Sequence, residues 1–268
     1  MIKYSKITLK SDFVLPYRFI GSTIRGAFGV GLKKTVCINP SGVCDGCFAK
    51  EGCIFYDFFE KDNPKYRFKI DLSGNVSFDL FLFEEYSFKA SYVINALYKA
   101  FKSLGIGKER QKIDFTLYCN DKMIYDGYKF YEFKNDVIEY KINNIQNSCK
   151  IIFHTPIRVK ENKVFVRDNI KLETILRTIY HKYHKLQNIP IAKIPFTPKY
   201  KIKDSNFGFI DFKRYSNRQK TGMNFGGVMG YIDFEYIDEK SYLVLKIGEL
   251  IGVGKQTTFG LGCIEVVN

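Results

Sequence analysis

The sequence predicts an α+β chain built from two domains in tandem, each with the element order βαββαβ. Two observations carry this. The stretches "LGIGKERQKIDF" (residues 104–115) and "IGVGKQTTFGLG" (residues 251–262) set the same Gly-x-Gly-Lys device between a helical pattern and a strand. The same succession of period-two and period-3.6 apolar patterns also occurs on both sides of a polar linker, "KINNIQNSCK". The halves so defined are residues 1–147 and 148–268.

In the first half Ile2 to Leu9 is a strand, and Ile24, Phe28 and Leu32 keep helical spacing from a start near Ser22. Tyr66, Phe68, Ile70 and Leu72 alternate with charged residues, and Ser77 to Phe83 forms the next strand. Ala90, Val93, Ile94, Leu97, Phe101 and Leu104 make a second helix that runs into the first Gly-x-Gly-Lys. In the second half Ile151 to Val159 is a strand. Leu172, Ile175, Leu176, Ile179, Tyr183 and Leu186 are a helix with Asp168 or Asn169 as its cap. Phe207 to Tyr215 is a strand, and Val228 to Tyr236 alternates as a half-buried one. Ser241 to Ile251 is a short helix, followed by the glycine loop and a last strand, Cys263 to Val267.

Composition narrows the function. The 268 residues carry 42 Lys and Arg against 28 acids, a net charge of +14. For a basic chain the commonest partner is nucleic acid, while a basic bias of the whole proteome is the plainer alternative. No apolar run has the length of a membrane span, and "MIKYSKITLK" lacks the apolar core of a signal peptide, so a cytoplasmic protein is expected. Seven cysteines, four of them clustered, fit reduced thiols better than a disulfide framework.

The second glycine loop is not a mononucleotide site. A P-loop needs glycine five residues before Gly254-Lys255, where Glu249 stands, and a Ser or Thr at Gln256. Nor is it a dinucleotide fingerprint: the third glycine position falls on Thr257, and too few residues follow for a βαβ unit. Four glycines, one lysine and two threonines in twelve residues suit a phosphate chain that needs no bound metal. A simple turn between a helix and a strand is the blander reading. Residues 193–220 add eight cations: Lys193, Lys199, Lys201, Lys203, Lys213, Arg214, Arg218 and Lys220. Arg214, Arg218 and Gln219 precede Gly226-Gly227 and are expected at the tip of a hairpin, with Tyr215 placed to stack on a base.

Five stretches in this order, "IRGAFGVGLKKTVC" with a cysteine cluster and "IFYDFF", "FHTPIRVK", "KRYSNRQKTGMNFGGVMG" and "GVGKQTTFGLG", resemble the CRISPR-associated endoribonucleases of the RAMP superfamily, which cut precursor CRISPR RNA within its repeats. The resemblance runs from about Phe19 to the C-terminus. It implies tandem ferredoxin-like, RRM-like domains, CRISPR repeat RNA bound along a basic face, and cleavage with no cofactor. RNA-binding residues are then Arg25, Lys34, Arg214, Tyr215, Arg218, Gln219, Lys220, Lys255, Thr257 and Thr258. A non-catalytic RNA-binding subunit of a CRISPR effector complex is the alternative, and a homodimer stays open.

Metal-independent cleavage needs a base at the 2′-OH, an acid at the 5′-oxygen and cations on the phosphorane. Many relatives carry a histidine on or just after the first helix. Residues Ser22 to Pro40 contain none. Of three histidines, His181 and His184 are read as surface residues of a helix, and His154 alone lies within a family motif. The catalytic candidates are His154, Tyr17, Lys33 and Lys255. Cys37, Cys44, Cys47 and Cys53 follow a C-x6-C-x2-C-x5-C spacing. That spacing suits a structural zinc, an iron–sulfur cluster takes the same ligands, and a metal-free loop is the third reading. Cys119, Cys149 and Cys263 are expected in the core.

Overall fold

A computed structural model describes residues 1–107, 109–216 and 221–267, apart from the side chains of 213–216 and 221–223. The chain divides into two compact units, Met1–Tyr140 and Lys141–Asn268. The division falls at the start of the polar linker, whereas the sequence pattern puts it at residue 147.

In the first unit β1 (Ile2–Lys10) leads to α1 (Gly21–Val36) and a short α2 (Ile54–Phe59). Next come β2 (Tyr66–Ile70), β3 (Phe78–Phe83) and α3 (Ala90–Tyr98), which continues as a π-helical turn over Lys99–Leu104. The strands β4 (Thr116–Cys119), β5 (Lys122–Tyr125) and β6 (Ile138–Tyr140) complete it. The sheet order β2-β3-β1-β4-β5 contains the ferredoxin-like core, with β5 and β6 added to it. Buried Ile7 and Leu9 of β1 and Phe28 of α1 share this core, with the rings of Phe58, Tyr66 and Phe68 within 6.4 Å of Phe28. The alternation expected for β2 fails at one point. Arg67 is buried, its guanidinium 5.5 Å from the Phe81 ring.

In the second unit β7 (Cys149–Ile157) is followed by a hairpin of β8 (Lys160–Glu161) and β9 (Val164–Phe165), then by α4 (Leu172–Leu186). The strand β10 (Tyr200–Ile210) precedes a second hairpin, β11 (Lys213–Ser216) and β12 (Thr221–Asn224). The strand β13 (Gly227–Ile237), α5 (Glu239–Ile251) and β14 (Ile264–Val267) follow. The order β10-β13-β7-β14, all antiparallel, is the ferredoxin-like sheet. The strand expected over Phe207–Tyr215 is two strands broken at Asp211-Phe212. The expected caps of α4 do not cap it. The helix begins at Leu172 behind Lys171, and Thr174 turns its hydroxyl to Glu161 Oε1 at 2.6 Å. By contrast α5 has a true cap: Asp238 accepts from the Ser241 N–H at 3.1 Å.

The two glycine devices hold related places. Gly105 ends the last helical turn of the first unit with φ 78° and ψ 163°; Gly252 ends α5 with φ 77° and ψ 155°. Gly107 and Gly254 follow at φ 73° and 81°. Each pair lies between the unit's last helix and the strand that follows it, as the duplication predicts. Lys108 lies outside the described residues.

Candidate nucleic-acid interface

The glycine loop is closed by backbone hydrogen bonds, one within itself and two to the chain at Pro156 and Arg158. Val253 N–H donates to Gly262 O at 2.8 Å, Gly262 N–H to Pro156 O at 3.1 Å, and Lys255 N–H to Arg158 O at 2.9 Å. Gln256, at φ 64°, and Gly260, at φ 86°, bracket a single 3-10 turn over Thr257–Phe259. Beneath it the buried Thr155 hydroxyl donates to Gly260 O at 2.9 Å and accepts from the Cys263 N–H at 2.9 Å. One hydroxyl therefore ties the C-terminal end of the loop to β7 through two hydrogen bonds. From α4, Lys182 Nζ reaches Thr257 Oγ1 at 2.6 Å and Gly252 O at 3.4 Å. Lys255 is the side chain the loop leaves exposed.

This placement revises part of the expected set. Thr257 is buried and engaged by Lys182, so it shapes the loop instead of facing a ligand. Lys182 was not legible as a loop residue, because a lysine on an amphipathic helix reads as solvent-facing. Thr258 is half-buried. Arg214 and Tyr215 lie on β11, opposite Met223 and Gly222, with their side chains outside the described set. Arg218, Gln219 and Lys220 lie outside the described residues. Two cations of the basic run are already matched: Lys201 pairs with Glu235 at 2.7 Å and Lys203 with Asp233 at 3.8 Å, both across β10–β13. Exposed pairs of this kind add little stability, but they reduce the charge that β10 offers to phosphate.

The catalytic candidates do not gather. His154 is exposed on β7, with Nε2 2.7 Å from Glu265 Oε2 on β14. Arg158, which bridges to Gly254, lies four residues further along the chain, roughly 13 Å at strand rise. His154 N–H donates to Cys263 O at 2.9 Å, so it lies beside the C-terminal end of the glycine loop, while Lys255 lies beside Arg158. In the first unit the Tyr17 hydroxyl is 2.7 Å from Thr23 Oγ1 at the start of α1. Lys33 lies ten residues beyond Thr23, about 15 Å along the helix, with Nζ 5.1 Å from the Phe55 ring. Arg25 donates from Nε to the Tyr66 hydroxyl at 3.1 Å and stacks 4.6 Å over Phe59, so it packs α1 against β2. Lys34 is exposed and gives its carbonyl to Lys99 Nζ at 3.1 Å.

Of the two helix histidines, His184 is not a surface residue and His181 is half-buried. His184 is buried, its Nδ1 2.6 Å from Pro190 O, and it packs 4.3 Å from the Tyr180 ring. Burial, then nearby Arg177 and His184, hold His181 below the usual histidine range. Both lie in the C-terminal part of α4, and His184 ties it to the chain that leaves the helix. Cys119, Cys149 and Cys263 are buried in the core, as expected. The other four thiols lie between α1 and α2. Burial pushes the Cys44 thiol up, opposed by Lys33 and reinforced by Glu60, Cys53 and Cys37. Among the described residues no three His, Cys, Asp or Glu side chains are arranged as a ligand set.

Two ferredoxin-like units with matching glycine devices define the fold class as tandem ferredoxin-like. Residues 151–264 match the family model described as CRISPR-associated endoribonuclease Cas6, and residues 3–129 match a model described as an N-terminal domain. The Cas6 match thus spans the second unit from β7 into β14. An uncharacterized protein of Archaeoglobus fulgidus is 23% identical over 92% of this chain and 91% of its own. Two solved Cas6 product complexes match with TM-scores of 0.57 and 0.56, at 12% and 11% identity, each covering 100% of both chains. Thermus thermophilus Cas6 matches at 0.52 with 12% identity, over 100% of this chain and 98% of that one. At these identities the likeness concerns the fold. No helix among the described residues is long and apolar enough to cross a membrane.

Proposed function

We propose that this chain binds CRISPR repeat RNA and cuts precursor CRISPR RNA within the repeat, by attack of a 2′-OH on the adjacent phosphate without a metal ion. The family match supports RNA binding and repeat processing. The observation that carries the reading is the closed glycine loop with Lys255 as its exposed cation. In the reaction the 2′-oxygen bonds to phosphorus and the 5′-oxygen leaves with a proton, giving a 2′,3′-cyclic phosphate and a 5′-OH. Lys255 is assigned to the phosphate, where a fixed cation stabilises the phosphorane. His154, oriented by Glu265, is assigned as the base. Its side chain and that of Lys255 must reach towards each other across the roughly 13 Å between their backbone positions to meet at one phosphate. Tyr17 and Lys33 form the rival assignment on the first unit. Arg25, Lys34, Thr258 and the hairpin residues Arg214, Tyr215, Arg218, Gln219 and Lys220 are assigned to binding.

The test is repeat RNA incubated with the protein in EDTA. The expected result is a discrete cut with cyclic-phosphate ends, slowed in His154→Ala at saturating protein. Tight binding without a cut would move the chain to the non-catalytic alternative, which the lack of histidine over Ser22–Pro40 favours. No binding would overturn the proposal.

For Cys37, Cys44, Cys47 and Cys53 we propose a structural zinc. Four free thiols within one connection, two of them acting on Cys44, are its support; their side chains must rotate to become a ligand set. Carefully prepared protein is then expected to hold about one equivalent of zinc, lost in Cys44→Ser together with thermal stability. Elemental analysis finding neither zinc nor iron leaves the segment a cysteine-rich loop.

A further inference from the structure

The hairpin that follows the "FHTPIR" stretch lies outside the interface expected from the sequence. Lys160 pairs with Phe165 and Glu161 with Val164 across β8 and β9, and Val166 N–H closes the base on Val159 O at 3.1 Å. Its two-residue turn is Asn162-Lys163, at φ 47° and 69°. Such a turn favours Asn-Gly, because a side chain is disfavoured in the left-handed region. A lysine stands at the glycine position, so the tip carries a charge against its backbone preference. Strain of this kind concentrates where a side chain has a task.

The rest of the hairpin is built to present cations. The Arg158 guanidinium lies 3.8 Å from the Phe165 ring and Lys160 Nζ 4.7 Å from the same ring. Arg167 stacks 5.2 Å from Phe209. Lys160, Lys163 and Arg167 are exposed, and among the described residues no ion pair neutralises them. Nearby carboxylates are few. Glu161 accepts from the Thr174 hydroxyl, Asp211 acts on Arg158, and Asp168 is exposed beside Arg167. The base of the hairpin is continuous with the glycine loop: Arg158 bridges to Gly254, its carbonyl accepts from the Lys255 N–H, and its NH1 donates to Gly226 O at 2.8 Å. From Arg158 the strand rise carries the chain roughly 13 Å to Asn162 at the turn. Cations thus run outward from Lys255 to Lys163 for longer than one phosphate spacing.

We propose that the β8–β9 hairpin is a second RNA-binding element, holding the sugar–phosphate backbone of a single strand as it leaves the glycine loop. The inference rests on the proposed RNA-binding role of that loop. A polyribonucleotide fits better than an acidic protein surface, because the charge forms a path continuous with a phosphate-type loop and carries the exposed apolar Val164 at its tip.

The test is fluorescence anisotropy with labelled oligouridylate at several salt concentrations, on the full chain. Lys163→Gly removes the charge and relieves the turn. It is expected to weaken binding about threefold while the thermal midpoint stays unchanged or rises by about 2 °C. Lys160→Ala with Lys163→Gly is expected to weaken binding about tenfold and make the log–log salt slope shallower by about 1.4, near 0.7 for each lost contact. If Lys255→Ala weakens binding while the double variant does not, the hairpin proposal fails and the loop reading stands. If neither oligouridylate nor repeat RNA binds the unaltered protein, both fail. Polyglutamate of matched charge binding equally, and losing affinity in step, would also overturn the RNA assignment.

Discussion

Lys255→Ala is expected to cut repeat RNA about a hundredfold more slowly at saturating protein, while RNA affinity falls only about fivefold. The asymmetry is the point. A cation that merely attracts phosphate contributes one contact to the salt slope and affects binding and cleavage alike. A cation fixed against developing charge acts mainly in the transition state, where losing one such donor removes about 3 kcal/mol. Here the lysine backbone is fixed: its N–H bonds Arg158 O, and Gly254 on one side and Gln256 on the other lie in the left-handed region. Single-turnover cleavage and anisotropy on one preparation give both numbers. Equal losses would confine Lys255 to binding, and no change in either would make the loop a structural turn.

Gly262→Ala is expected to lower the thermal midpoint of the second unit by about 10 °C. Gly262 sits at φ 72°, and a Cβ there would collide with the carbonyl oxygen of Val253, the residue whose N–H already bonds Gly262 O. The left-handed backbone and the overpacking together come to about 3 kcal/mol. Gly46→Ala is the control. Gly46 has a similar φ of 63° but nothing within 4 Å of where its Cβ would stand, so only the backbone contribution of about 1 kcal/mol remains. Similar losses in both variants would show that crowding against Val253 contributes nothing.

Both units were legible where pattern and backbone agree. The long apolar alternations of β1, β7 and β13 and the helical stripe of α4 reappear as buried faces, and the two Gly-x-Gly devices share their helix-ending geometry. What escaped had no local signal. The β8–β9 turn lacks glycine, so nothing in "VKENKVFV" marks a hairpin. Arg67 reads as exposed because charge predicts exposure, whereas its strand neighbour Phe81 offers a ring to cover it. His184 reads as a surface residue because its carbonyl partner, Pro190, lies beyond the end of the helix. The loop's main residues, Lys255 and the glycines, were readable from composition. Thr257's inward turn was not, because it depends on Lys182 arriving from a helix some 75 residues earlier.

The closure of the glycine loop by Thr155, Pro156 and Arg158 bears on the speed of association. A segment already bonded in its final shape has no folding step to complete after encounter. Capture of RNA at that loop should therefore follow single-exponential kinetics, with an observed rate that climbs linearly with RNA concentration and does not level off. With a net charge of +14 behind it, the bimolecular rate constant should fall steeply as salt is added, while the dissociation rate changes less.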